Sequence, residues 1–452
     1  MQGGEDMADN ICAIATPYGV GAISIIRCSG PNAIELVNSI FKGKNLTKCK
    51  SHTIHYGYIL NENEIVDEVL CNIFISPNSF DGENCVEINC HGGIYVTNMV
   101  LRVCLKAGFR MAEPGEFSKR AFLNGRLDLT QAESIMDIIS SSNEIALKSS
   151  TNSLRKSTFN LVKRFREKLL DIIAKIEVNI DYPEYDDALF VTNEYLLPVV
   201  NEMLIDMKKI LDNSKISTIA IHGIKTAIVG KPNVGKSSLL NMLLDEDKAI
   251  VSSIAGTTRD MIEGTLTLGN VTLHLIDTAG IRQSEDYVEA IGIKRSHQAI
   301  NDADLVLLVL DSSSNLTEED NELLELTKNK KRIIIANKID LNPKWQIEDA
   351  IYISAMNKDG LEELSKKILE ITNIDTFDSL NGNYLNNNRQ VDLMNKAYNS
   401  LMSSMNAINM QLDVDLIEID LKNAFDYLGQ ITGEANPEEL ITALFTKFCL
   451  GK

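Results

Sequence analysis

Positive charge is scarce in this sequence: 44 Lys and Arg stand against 63 Asp and Glu, a formal net charge of −19 over 452 residues. That excludes the broad basic footprint of a nucleic-acid-coating protein, so any RNA contact must be local or shared with a partner. No run of 18 apolar residues occurs, which removes a membrane span, and the start MQGGEDMADN is acidic, unlike a signal or basic transit peptide. The expected location is the cytoplasm. No CxxC pair occurs, although seven of the eight cysteines lie within the first 104 residues. The group Cys85, Cys90 and His91 lacks a fourth ligand nearby, so buried free thiols are expected in preference to zinc. Glycine vanishes from Leu127 to Asn213, where Pro183 and Pro198 are the only prolines. A stretch so poor in chain breakers, with apolar residues at helical spacing, is expected to be helical.

What is present is a globular composition, 44% hydrophobic and 24% charged, in a chain too long for one core; two to four domains are expected. Residues 1–125 mix short apolar runs with turn signals and read as a small α+β domain. Residues 126–215 form the first helical block. Residues 216–375 alternate the apolar strands TAIVG, TLHLID, DLVLLVLD and RIIIANK with helical or loop segments, which predicts a parallel, doubly wound sheet. Residues 376–452 return to helical periodicity. Two helical blocks around one α/β unit predict that the α/β unit is inserted into a single helical domain, with two separate bundles as the alternative.

The chemistry is concentrated in the α/β unit. Gly230 to Ser237 reads G-x-x-x-x-G-K-S between a strand and a helix. Backbone N–H groups of such a loop (Asn233, Val234, Gly235) and of the helix start (Lys236, Ser237, Ser238) wrap phosphates, the Lys236 ammonium reaches the outer phosphates, and the Ser237 hydroxyl suits magnesium (Mg2+). Asp277-Thr278-Ala279-Gly280 closes the strand TLHLID, which puts a carboxylate beside the metal and a glycine N–H near the terminal phosphate. Upstream, Thr258 in Gly256-Thr257-Thr258 supplies the second hydroxyl for magnesium. Asn337-Lys338-Ile339-Asp340 follows the strand RIIIA, and the Asp340 carboxylate can accept from two guanine N–H donors that adenine lacks, selecting GTP. Ser354-Ala355-Met356 reads as the loop that closes over the base.

After DTAG, the glutamine that orients water in Ras-like enzymes is replaced by Ile281. The candidates for positioning water are Glu285, Asp286 and Glu289. Arg259 and Arg282 read as solvated switch residues more than as catalytic cations. A bound cation at Asn233 can neutralise transition-state charge in their place.

With these motifs, with PGEFSKRAFLNGRLDLTQAE between the first two blocks and with Cys449-Leu450-Gly451-Lys452 at the end, the chain closely resembles the MnmE (TrmE) family of tRNA-modifying GTPases. The resemblance runs from ATPYGVGAISIIRCSGP through SFDGENCVEINCHGG to the last residue. It implies an N-terminal folate-binding and dimerising domain, a discontinuous helical domain and an inserted Ras-like G domain. It also implies a homodimer acting with the FAD-dependent protein MnmG in a heterotetramer. The implied reaction places a carboxymethylaminomethyl or aminomethyl group on carbon five of the wobble uridine of certain tRNAs. Its carbon comes from a formyl- or methylene-tetrahydrofolate.

Carried over residue by residue, the family's folate pattern falls on Arg27, Glu83 and Lys452, with Arg126 where a lysine is expected. Its potassium (K+) pattern falls on Asn233, Ser252, Ile254 and Thr257, within the loop that includes Ser253 and Ala255. Its water-orienting residue falls on Glu289. The terminal pattern makes Cys449 part of the modification chemistry or its folate pocket, whereas residue chemistry alone reads it as an apolar plug. The competing reading is a GTPase switch for ribosomal RNA or assembly intermediates, since such proteins share the NVGKSSLLN loop; that class usually carries a basic RNA-binding module. A C-terminal lipid anchor at Cys449 fits the last residues poorly. The run Lys156, Lys163, Arg164, Arg166 and Lys168 reads as a solvated helix face.

Overall fold

The computed structural model describes residues 9–181, 195–244, 262–268, 271–276, 298–380, 382–434, 438–446, 448 and 451. The chain divides into two compact units, Met1–Met136 with Gly429–Lys452, and Asp137–Leu428.

The first unit is built on seven strands: β1 (Ile11–Ile14), β2 (Ile23–Ser29), β3 (Phe41–Gly43), β4 (Thr53–Asn61), β5 (Glu64–Phe74), β6 (Cys85–His91) and β7 (Arg110–Met111). They pair in the order β3-β4-β5-β6-β2-β1-β7, antiparallel except for β1 with β7. Alternation decides the faces. Ile26 and Cys28 of β2 and Ile88 of β6 point to the face covered by α1 (Ala33–Ile40) and α2 (Ile94–Lys106), which bury Val37, Val100 and Leu101 against it. On the other face, α3 (Glu116–Leu123) covers Ile11 and Ala13 with Phe117. Farther along that face Ile54, Tyr56 and Leu70 are exposed, Tyr56 standing opposite Leu70 in the ladder. All seven cysteines among the described residues are buried free thiols, and burial pushes Cys71 up to about 12, away from the reactive thiolate form.

The helical blocks begin with α4 (Leu129–Ser140), α5 (Glu144–Leu154), α6 (Ser157–Asp181) and α7 (Leu197–His222). α7 runs past residue 216, where the α/β unit was expected to begin, because the ISTIAIH segment buries Ser217, Ala220 and Ile221 at helical spacing. The later helices are α11 (Asn388–Asn409), α12 (Val414–Thr432) and α13 (Glu438–Phe445). Helix α7 packs along α11, from the other side of the insertion. Polar contacts join the same blocks: Asn213 Nδ2 donates to the Asn383 carbonyl at 2.9 Å, and Leu385 N–H donates to Ser214 Oγ at 2.9 Å. The two blocks therefore form one discontinuous helical assembly rather than separate bundles. Near the chain end, α13 packs Ile441 and Phe445 against Leu129 and Ala132.

Between the blocks lie β8 (Ile224–Val229), α8 (Lys236–Leu244), β9 (Ile262–Leu268), β10 (Val271–Ile276), β11 (Leu305–Asp311), α9 (Glu318–Leu326), β12 (Lys331–Asn337), β13 (Ile351–Tyr352) and α10 (Leu361–Thr372). The sheet order is β13-β12-β11-β8-β10-β9, parallel apart from the edge strand β9. Both faces are covered: Leu305, Leu307 and Val309 enter one apolar cluster, Val306, Leu308 and Leu310 the other. Each such fully buried side chain stabilises by about 1.5–3 kcal/mol, which explains the unbroken apolar runs in the sequence. In a sheet of this kind ligands bind at the carboxyl ends of the strands where the order reverses. Here that point is the end of β8.

Candidate functional site

Two sites can be built from the described residues. The first grows from the end of β8. Gly230 leaves the strand at φ 155°, and a Cβ there would come within 2.3 Å of the Val309 carbonyl, so only glycine allows the loop to start this close to β11. Asn233 turns the loop at φ 62°. Gly235 follows at φ 99°, and a Cβ there would meet Asn337 Nδ2 at 2.2 Å. The vacancy lets the side chain of Asn337, 2% exposed, reach the loop and donate to the Val234 carbonyl at 2.8 Å. Helix α8 then starts at Lys236, with Ser237 and Ser238 exposed on its first turn, where the N–H groups of a helix start and the helix dipole favour an anion.

The half-buried Lys236 ammonium folds over the loop, donating to the carbonyls of Gly230 at 2.6 Å and Lys231 at 2.8 Å. Burial lowers its pKa from the usual lysine value. Among the described residues its hydrogen bonds go to these neutral carbonyls, and an ammonium so held is poised for a better partner such as phosphate.

The base-reading segment is fastened to the same loop. Asn337 accepts from the Ala355 N–H at 3.0 Å, so one amide ties the phosphate loop to the Ser354–Met356 turn. Lys338 donates to the Asn233 carbonyl at 2.8 Å and to Asp311 Oδ2 at 2.7 Å. Burial alone would raise the Asp311 pKa, but Lys338 and Ser313 hold it below the ordinary carboxylate value. Asp340 is exposed, and one of its oxygens accepts from buried Ser354 Oγ at 2.6 Å. That hydrogen bond aims a carboxylate at the solvent side of the loop, as recognition of two guanine N–H donors requires. Ala355 is buried, while Met356 is 87% exposed beside it.

The structure thus brings together Asn233, Val234, Gly235, Lys236, Ser237, Ser238, Asn337, Lys338, Asp340, Ser354, Ala355 and Met356. Gly230 and Gly235 let the loop close against Val309 and Asn337, a close-packed backbone turn of the kind that wraps phosphates, and Ser237 is exposed at the helix start that follows it. Ser252, Ser253, Ile254, Ala255, Gly256, Thr257, Thr258, Asp277, Thr278, Ala279, Gly280 and Glu289 lie outside the described residues, as do Glu285, Asp286, Arg259 and Arg282. Asp311 was missed in the sequence reading. Its signal was present, a carboxylate at the carboxyl end of a buried parallel strand.

The second site lies in the first unit, where β2 and β6 pair Arg27 opposite Glu87. Arg27 donates through Nε and Nη2 to Glu87 Oε1 at 3.1 and 2.9 Å, and through Nη1 to the Gly451 carbonyl at 3.3 Å. Its guanidinium lies 4.7 Å from the ring centroid of Phe80 and 5.6 Å from that of Phe117. Gly451 packs so closely on β1 that a Cβ would meet the Ile14 carbonyl at 2.4 Å. Glu83 accepts from Arg120 Nη1 at 3.1 Å and from Asn124 Nδ2 at 3.5 Å. Arg120 also donates through Nη2 to Asp9 at 2.6 Å and Glu116 at 2.9 Å, and Glu116 and Asp9 pair in turn with Arg110.

Two carboxylates of this network are treated differently. Burial raises Glu116, but Arg110, the Glu113 N–H and Arg120 outweigh it and hold it below the usual value. Glu83 stays raised, because burial and nearby Asp81 exceed what Arg120 and Asn124 return. Ionised Glu83 is therefore a local cost to the fold, as expected of a group kept for a ligand. Arg126 is exposed beyond α3, and no hydrogen bond or ion pair of its side chain occurs among the described residues. Cys449 and Lys452 lie outside the described residues. Arg120 and Asn124 were not anticipated, although Glu116, Arg120 and Asn124 are spaced by four along one helix face.

Family comparison covers nearly the whole chain. The family described as GTP-binding protein TrmE N-terminus matches residues 10–126, and the MnmE helical domain family matches residues 129–449. The tRNA modification GTPase MnmE of Acholeplasma laidlawii is 53% identical over 443 residues, 98% of this chain and 99% of the relative. Its counterpart in Ligilactobacillus salivarius is 48% identical over 455 residues, 98% of each chain. A solved structure of Era with MgGDPNP and nucleotides 1506–1542 of 16S ribosomal RNA is 32% identical and covers 33% of this chain and 56% of its own, at a TM-score of 0.26.

Proposed function

The chain belongs to the MnmE family of tRNA modification GTPases, and on that premise we propose that it acts with an FAD-dependent MnmG-type partner on the wobble uridine of certain tRNAs. The reaction adds a carboxymethylaminomethyl or aminomethyl group at carbon five, with a formyl- or methylene-tetrahydrofolate as the one-carbon donor. GTPase activity is supported by the family, and binding of a guanine nucleotide by the observation that Asn337 joins the phosphate loop to the base-reading turn. Magnesium, when bound, neutralises phosphate charge; Ser237 would hold it, together with Thr258. Potassium would sit at Asn233, with Ser252, Ile254 and Thr257, and Glu289 would orient water.

For the folate, Arg27 supplies a planar donor fork for carboxylate or carbonyl oxygens and Glu83 an acceptor for pterin N–H groups. The Gly451 carbonyl at Arg27 supports a role for the neighbouring Lys452 and Cys449 at the same place. Arg126 is the weakest member of the set. The exposed Ile54, Tyr56 and Leu70 on one sheet face support homodimerisation through residues 1–125. The helical domain would comprise residues 126–215 and 376–452, with the G domain at 216–375. Among the described residues no helix is long and apolar enough to cross a membrane, and the cytoplasm is the proposed location.

Mass spectrometry of tRNA nucleosides from a strain lacking the gene, with and without the restored chain, tests this reading. The modified wobble uridine should vanish and return. Unchanged nucleosides in the deletion strain would remove the modification role and leave a GTPase with another target.

A further inference from the structure

Lys231, the second residue of the phosphate loop, makes a contact that the nucleotide reading does not use. Its Nζ lies 2.7 Å from Asp320 Oδ2 on the first turn of α9, with side-chain exposures of 17% and 2%. The same oxygen accepts from the Thr317 N–H at 2.9 Å and the Thr317 hydroxyl at 2.8 Å, and the Asp320 N–H donates back to that hydroxyl at 3.4 Å. Thr317 and Asp320 thus form a complete capping box without any ammonium. Burial would raise the Asp320 pKa, but Lys231 and Thr317 hold it below the usual carboxylate value, so the Asp320 carboxylate is ionised at neutral pH. Asp320 Oδ1 is buried with no hydrogen-bond partner among the described residues. A helix cap alone does not require a charge in that position.

The other end of Lys231 is its backbone carbonyl, which accepts from Lys236. One residue therefore links a fixed helix, through its side chain, to the ammonium that meets phosphate, through its main chain. Resting on the GTPase reading, we propose that Asp320 is a positioning residue for nucleotide binding: acting through Lys231, it latches the phosphate loop to α9 in the shape that receives the phosphates. The latch also neutralises Lys231, leaving Lys236 as the loop's available cation. Because the loop wraps GDP and GTP alike, the latch acts on ground-state binding, and its loss falls mainly on KM rather than on kcat.

The test uses the full-length protein and a fluorescent GDP analogue. Lys231→Met, which leaves the capping box whole, and Asp320→Asn, which keeps an acceptor for Thr317, should each weaken binding by about tenfold, the size of one charge-assisted hydrogen bond. The double variant should be no weaker than either single one, and Lys231→Arg should bind nearly as the parent does. Additive losses, or single variants that bind as the parent does while the parent binds normally, would overturn the latch alone. A parent that binds no guanine nucleotide would overturn the GTPase reading and the latch with it. Should Asp320→Asn or Lys231→Met unfold at a lower temperature, the split between KM and kcat read well below that temperature still decides the matter, because a purely structural ion pair moves the melting temperature and leaves KM at the parental value.

Discussion

The nucleotide site and the N-terminal polar site are made of different material. Around the phosphate loop the groups that would face a ligand are mostly backbone, and their arrangement follows from glycine at φ values other residues avoid and from one amide, Asn337, that braces the loop. Around Arg27 and Glu83 the groups are side chains, drawn from β2, the segment before β6, and α3, and held by other charges. A site of backbone groups needs consecutive residues of fixed type and tolerates little change. A site of side chains needs only that distant elements meet, and the same placement can be reached from many sequences.

If that contrast holds, the two sites should fail independently. The largest loss is expected for Lys236→Ala, which removes the ammonium folded over the phosphate loop: GTP turnover should fall by about a hundredfold or more, as for other donors aimed at developing charge. Binding of a formyl-tetrahydrofolate should stay at the parental level. Calorimetry with that folate beside a phosphate-release assay reads both; a parallel loss of folate binding would show that the sites are one system. A smaller effect, about tenfold to a hundredfold in affinity, is expected for Asp340→Asn, because the variant amide offers guanine one donor where two acceptors are needed. The same variant should gain affinity for xanthosine nucleotides, which present a carbonyl there. Competition between GDP and XDP measures the switch, and an unchanged preference would remove Asp340 from base reading.

How much was legible follows the same division. The strands of the G domain were visible as apolar runs because a parallel sheet buries both faces, and the discontinuous helical domain as two blocks of one period around an insertion. The phosphate loop and Asn337-Lys338-Ile339-Asp340 were visible as contiguous motifs. The pairings of Asp311 with Lys338 and of Lys231 with Asp320, which fix those motifs in space, were not, because even where a charged residue's place on a strand end is legible no local pattern marks its partner. In the N-terminal unit Arg27 and Glu83 were named only through resemblance, and Glu87 and Arg120, which hold them, escaped. Cross-strand register puts Glu87 opposite Arg27 sixty residues away, a relation the sequence does not display. The end of α7 was misplaced for a related reason: ISTIAIH is as apolar as a strand, and only packing makes it helical.

The smallest predicted effect sharpens the contrast most, because it removes geometry and keeps charge. Arg120 has a side chain 3% exposed and serves Asp9, Glu83 and Glu116 with two nitrogens. Deleting it outright would leave the half-buried Glu83 without its cation, and Glu116 and Asp9 with Arg110 alone, and cost about 3–5 kcal/mol, enough to confound any binding assay. Arg120→Lys keeps the charge but presents a point where a fork is needed, so it cannot serve all three. Glu83 already titrates above the usual carboxylate value because burial outweighs Arg120. A group raised in this way adds stability that is present below its unfolded pKa and lost as pH rises through the folded one, so at neutral pH its ionised form is a cost. Weakening Arg120 should raise Glu83 further. Since pterin N–H donors need the carboxylate, folate affinity should fall off at a higher pH in Arg120→Lys than in the parent, while affinities well above that limb stay close. Taking the ratio of the two affinities at each pH cancels the ionisation of the folate itself. GTP turnover should be the same in both proteins at every pH. A ratio that does not change with pH would mean that Arg120 only braces the fold and that Glu83 does not meet the folate as an anion.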